Sequence, residues 1–560
     1  MAPFADGSPM ASQWPIPPGH YFDYELATEV HDAGTYFYHS HVDMQALSCV
    51  GPLIVSDCGL PPYRYDDERI FQFQDHFSMT DDDMVRGLRA APFAWPGETR
   101  GILLNGNGVA VGQTAVTGPP GGITGLFGSP HSRPIRPRHG RLDIKDDSDE
   151  DEDGDETKIE LPNACTLPVI DVEPGKTYRF RFIGSTGLSY LGMAFEDHSS
   201  LTVVQVDGNE YNIPVTTDHL RLGAGQRFDV LFKAKTAEEL KKNGNKATYF
   251  FQFETIDRPQ PYRGYGVLRY NINAKVPAAP PSPVLNLPIH APDWLEYTFQ
   301  PLYPERNQAP SAKEVTRRVI IDVEQKAENK TGRVVWQLAH LSWFEYNIKR
   351  PVLIDIYERG EAAMPNYEAA RNNYGWDPAT ALFPAKLGEV LEIVIQNRGS
   401  QFKPTLGLIE THPFHAHGQH YYDIGSGPGK YDPNANNEKL AKTGYRAVKR
   451  DTTMLLRYQD RVGPGEPGGW RAWRMRAEMP GVWMIHCHIL AHMMMGECCL
   501  QGRNDVLLLL TSFGRHANRL GDRRRGSDHP APVTCKPGLL RLRGQHVRKC
   551  NIRAHGQSLF

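Results

Sequence analysis

The sequence predicts an all-β protein assembled from sandwich domains, and three observations predict it. Short strand-like runs recur through most of the chain, turn-forming residues bound them, and helical periodicity is scarce. In order, the expected strands are 34–41, 51–55, 176–183, 201–206, 227–233, 249–254, 317–323, 389–396 and 470–476. Asp207-Gly208-Asn209 follows one run, and Glu173-Pro174-Gly175 precedes another. Both triplets carry the left-handed or proline-fixed backbone that tight connections require.

At 560 residues the chain exceeds one domain, and about 150 residues per domain suggests three or four. A Pro-rich stretch from Pro277 to Pro283 has linker composition, and the acidic run 146–156 has that of a solvated insertion, about 143–158. The expected division is a remainder of a first domain at 1–70, a second domain at 71–275 and a linker at 276–314. A third domain at 315–496 and an Arg- and Cys-containing tail at 497–560 complete it.

Bulk composition narrows function by exclusion. Hydrophobic residues at 40% and charged ones at 23% exclude disordered, fibrous and membrane classes. A formal net charge of -3 gives no electrostatic case for a nucleic-acid partner. The apolar run Val506 to Leu510 is far shorter than the roughly 20 residues that cross a bilayer, so no membrane span is expected. The residues after Met1 have neither the basic nor the apolar region of a secretory signal. Oligomeric state has no signal in the sequence.

Histidines carry the chemistry. His39-Ser40-His41 ends an aromatic run, His412, His415 and His417 form a second cluster, and His486-Cys487-His488 with His492 form a third. Imidazole suits copper, zinc and iron; one thiolate with two imidazoles is a blue-copper donor set, although a mixed Cys/His set also suits zinc. Strand parity separates the ligands. Extended backbone turns Cys487 to one face and His486 and His488 to the other, and it sets His412 opposite His415 and His417. His412, Cys487 and His492 can then meet at one ion, and His39, His41, His415, His417, His486 and His488 at a larger site.

The run 34–41, HPFHAHG at 412–418 and HCHILAH at 486–492 resemble three of the four copper signatures of the multicopper oxidases. HAHGQHYYDIG at 415–425 and MMMG after His492 are most similar to the fungal-type ascorbate oxidase and laccase-like group. The resemblance implies three cupredoxin-like Greek-key sandwiches, the first truncated, and copper as cofactor. It implies a type 1 copper on His412, Cys487 and His492 and a type 2 copper on His415. One type 3 copper would take His39 and His488, the other His41, His417 and His486. It further implies electron transfer along His486, Cys487 and His488, dioxygen and a small reducing substrate (ascorbate-like or phenolic) as partners, and secretion. Trp336 and Trp343 are candidates for stacking on substrate, with burial in the core as the competing reading. Asn329-Lys330-Thr331 fits glycosylation of a secreted chain.

Two departures accompany the resemblance. The family's H-x-H-G signature would precede Ala5-Asp6-Gly7 and is not in this sequence, so two cluster ligands are expected to be missing. A copper-binding electron-transfer chain without oxygen reduction is therefore the alternative function. After Gly496, Glu497-Cys498-Cys499 stands where the family has an apolar axial residue and a closing strand. The tail shows no alternation, so no closing strand is predicted; a retained intron, and a gene model misread at both ends, are the expectation. Glu497 would sit beside the type 1 copper and lower its potential by favouring Cu(II).

Overall fold

The computed structural model describes residues 3–108, 167–288, 292–328, 330–503, 538–541 and 552–553. The acidic insertion, Asn329 and most of the tail lie outside them. Among the described residues strands dominate. Leu201–Val206 and Arg227–Lys233 coincide with the predicted runs, while Gly34–His39 stops before His41.

The middle sandwich pairs a six-stranded with a five-stranded sheet. The larger runs, edge to edge, Tyr211–Thr217, Leu201–Val206, Arg227–Lys233, Thr177–Gly184, Asp67–His76 and Gly101–Leu104. Phenylalanines from both sheets fill the space between them: Phe71, Phe180 and Phe182 from one meet Phe195 and Phe251 from the other. Phe71 and Phe182 stack at 4.7 Å, and Phe195 and Phe251 at 4.5 Å.

The third sandwich repeats the plan. Its smaller sheet, in the order Leu382–Ala385, Cys498–Arg503, Val482–Cys487, His412–Ala416 and Thr452–Leu455, carries His412, His415, His486 and Cys487. Cys498–Arg503 corrects the sequence reading, because it is the closing strand that missing alternation argued against. It pairs antiparallel with Val482–Cys487 and parallel with Leu382–Ala385. Cys498, Cys499 and Leu500 are all buried, and a strand covered on both faces needs no alternation. The third sandwich thus continues through Arg503 rather than ending at 496.

Short helices were the other omission. Pro433–Thr443 is capped by the Asp432 carboxylate, which accepts from the Asn434 and Ala435 amides, and it ends at Gly444. Its single fully buried residue is Asn436, so the apolar stripe that periodicity detects is not there.

The hairpin of Gly34–His39 and Val50–Val55 is fastened to the middle sandwich. Thr35 donates to Asp229 at 2.5 Å, Arg181 reaches both, and the Asn209 amide donates to the Tyr36 hydroxyl at 2.8 Å. A second tie joins the middle and third sandwiches: Arg227 makes two 2.7 Å contacts with Asp451, and Arg450 reaches Asp207 at 2.6 Å. All four side chains are buried or nearly so, and a buried charge without its partner is costly. Arg227→Met is expected to destabilise the chain by ~3–5 kcal/mol, read as a lower urea midpoint. Adding Asp451→Asn should recover part of that loss.

Candidate metal centres

His412 opens its strand and Cys487 ends the neighbouring one, with Phe414 opposite Cys487 and His415 opposite His486. His492 lies on the short helix Leu490–Met494 that follows. Their donor atoms converge: His412 Nδ1 and His492 Nδ1 are 3.2 Å apart, and Cys487 Sγ is 3.8 and 3.7 Å from them. Those separations suit donors about 2.0–2.3 Å from one ion. The three residues are buried.

Trp336 packs edge-on against His412 at 4.8 Å and tilted against His492 at 4.7 Å. At 2% exposed it walls the site rather than meeting solvent, and Trp343 is 5% exposed. Neither indole presents a face on which a substrate could stack, which corrects the expectation for both.

Back to back with this centre, six imidazoles surround a second. His417 Nε2 is 3.1 Å from His486 Nε2, and His41 Nε2 is 3.4 Å from the same atom. His39 and His488 form a neighbouring pair with ring centroids 5.1 Å apart. His415 lies 4.8 Å from His417, 5.6 Å from His486 and 5.9 Å from His488.

Several Nδ1 atoms are tethered away from this space. His39 Nδ1 donates to the Ser40 carbonyl, His415 Nδ1 to the Asp451 carbonyl and His486 Nδ1 to the Cys487 carbonyl, each at 2.9 Å. Carbonyls only accept, so the proton sits on Nδ1 and the Nε2 lone pair is left for a metal. The middle sandwich closes the wall: Leu490 N donates to the Gly187 carbonyl at 2.8 Å, and Gly225 lies against His488. At Gly225, with φ of +82°, an added Cβ would be 2.8 Å from His488 Cδ2.

Family models described as multicopper oxidase match residues 1–59, 67–273 and 345–499, well over half the chain. The chain belongs to the multicopper oxidase family. It is 62% identical over 535 residues to Laccase-like multicopper oxidase 1 of Thermothelomyces thermophilus, covering 95% of this chain and 82% of that protein. Multicopper oxidase aurL2 of Gibberella zeae is 39% identical, with 88% and 76% covered, and L-ascorbate oxidase of Cucurbita pepo var. melopepo is 27% identical, with 88% and 81% covered. The crystal structure of Fet3p, a multicopper oxidase that functions in iron import, superposes with a TM-score of 0.62 at 20% identity, covering 92% of this chain and 82% of that one. Its likeness concerns the fold, which is cupredoxin-like.

As a multicopper oxidase the chain is a copper-dependent oxidoreductase. Both centres fit copper on their donor chemistry, a thiolate with imidazoles at one and imidazoles alone at the other. Acidic residues that the sequence reading missed support both. Glu410 Oε2 lies 3.2 Å from His492 Nε2, and Asp6 lies 3.0 Å from His417 Nδ1. Burial raises the Glu410 carboxyl, but His492 and Arg258 outweigh it and bring it to about 2. Spacing could have flagged Glu410, since it stands two positions before His412 and an extended backbone would give them one face. Asp6 has no such signal, because it meets His417 only through the fold.

Burial, then neighbouring imidazoles, lower His39 to about 4 and His415 to about 3. Their rings are therefore neutral acceptors at ordinary pH. Folded values below the unfolded value of about 6.5 mean stability that is full above about 6.5 and lost as pH falls through about 4 and 3, at about 1.4 kcal/mol per unit. The metal-free protein should lose stability steeply below pH ~6, checked by denaturation midpoints between pH 7 and 4. His39→Gln should flatten the slope.

Proposed function

We propose that this multicopper oxidase couples one-electron oxidation of a small reducing substrate to the four-electron reduction of dioxygen to water. The observation that carries the reading is the run His486-Cys487-His488: the sulfur belongs to one centre, and both peptide neighbours belong to the other. In this assignment His412, Cys487 and His492 hold a type 1 copper and His415 contributes to a type 2 copper. His39 and His488 serve one type 3 copper, and His41, His417 and His486 the other. Copper there would supply single-electron acceptance at the sulfur site and, at the histidine cluster, four-electron transfer to dioxygen with uptake of four protons.

The residues around His492 support a hydroxylated donor, ascorbate-like or phenolic. Its Nε2 edge faces Glu410, whose side chain is 21% exposed while His492 is 3% exposed. A donor hydroxyl that reaches Glu410 can hand over its proton as its electron leaves, and His492, then Arg258, outweigh burial to keep the carboxylate ionised for that role. Secretion belongs to the same proposal, by likeness to laccase-like and ascorbate oxidase relatives.

The test is copper content per chain, EPR and visible spectra, and dioxygen uptake with ascorbate, hydroquinone and ferrous ion as donors. Uptake with a thiolate-to-copper absorption, lost in Cys487→Ser, is the expected result. Copper without dioxygen uptake would overturn the oxidase reading. Glu410→Gln should lower kcat/KM for hydroxylated donors by about 10–100-fold, the range seen for partners of metal ligands, while leaving copper content unchanged.

A further inference from the structure

Glu497 is fully buried, and among the described residues its polar partners are the ligand side chains themselves. Its Oε1 lies 2.8 Å from His412 Nδ1, and its Oε2 lies 3.1 Å from His492 Nδ1. The backbone holds it there. Glu497 N donates to the His492 carbonyl at 3.0 Å, and Cys487 N donates to the Glu497 carbonyl at 3.2 Å. The carboxylate is thus fixed between His412 and His492 by a backbone hydrogen-bonded to His492 and Cys487.

We propose that Glu497 is a fourth metal donor, closing His412, Cys487 and His492 into a four-donor site selective for divalent ions. The four donor atoms lie within 4.8 Å of one another, and closed four-donor sets with thiolate, imidazole and carboxylate are those that zinc takes. Charge points the same way. A thiolate and a carboxylate together offset a 2+ ion, whereas a 1+ ion leaves a buried negative charge uncompensated. The site therefore holds Cu(II) more firmly than Cu(I), competes for Zn(II), and accepts electrons only from strongly reducing donors such as ene-diols and hydroquinones.

This inference rests on the proposed copper-site reading, and the experiment separates the two. The full chain and its Glu497→Leu and Glu497→Gln variants, each checked for folding by circular dichroism, are loaded with Cu(II) or titrated with Zn(II), with Cys487→Ser as control. The expected result is Zn(II) uptake that requires Cys487 and weakens by about 10-fold or more in Glu497→Leu. Narrowed copper hyperfine splitting, a shifted visible band and a raised reduction potential should accompany it, with Glu497→Gln intermediate. Unchanged Zn(II) affinity and copper spectra in both Glu497 variants would overturn the fourth-donor role and leave the copper site standing. Absence of any thiolate-to-metal absorption in all variants would overturn the copper-site reading, and this inference with it.

Discussion

Alternation along two paired strands, His412–Ala416 and Val482–Cys487, is the constraint on which both centres depend. A pleated backbone sends successive side chains to opposite faces, so a single strand pair presents sulfur to one side and imidazole to the other. No loop could keep that division, because loop side chains lack a fixed parity. Shifting the register by one residue would exchange the faces and dissolve both donor sets at once. The smaller sheet of the third sandwich therefore defines the site's geometry, and the rest of the chain serves to hold that sheet in place.

Holding it is largely an electrostatic task. Arg227, Asp451, Asp207 and Arg450 make a buried ladder between the middle and third sandwiches, and the Asp451 carbonyl at its end orients His415. Thr35, Arg181 and Asp229 do the same for the hairpin that ends in His39. Interdomain contacts and ligand orientation are thus one network. His415 cannot rotate without breaking its hydrogen bond to the carbonyl of Asp451, the residue whose carboxylate holds Arg227 of the middle sandwich.

Much of this was legible in the sequence, for physical reasons. Strands carry a period of two, and His/Cys spacing inherits it, so the sequence allowed His412 to meet Cys487 on one side and His415 to meet His486 on the other. Contacts between residues far apart in sequence carry no such period. Asp6 against His417 is of that kind, and so is the burial of Trp336 and Trp343. The strand Cys498–Arg503 was missed because a strand buried on both faces has no alternation to detect. The helix Pro433–Thr443 was missed because it lies on the surface and is held by its caps.

Gly225 draws a consequence from its lack of a side chain. The middle sandwich offers none of the proposed ligands, yet its backbone presses on the His488 ring, and its Gly187 carbonyl fixes the start of the helix bearing His492. It acts as a template against which ligands from the other two sandwiches are set. Shuffling that sandwich between relatives, or shortening the chain to its ligand-bearing parts, would thus change ring orientation even with every histidine retained. The three units form one mould.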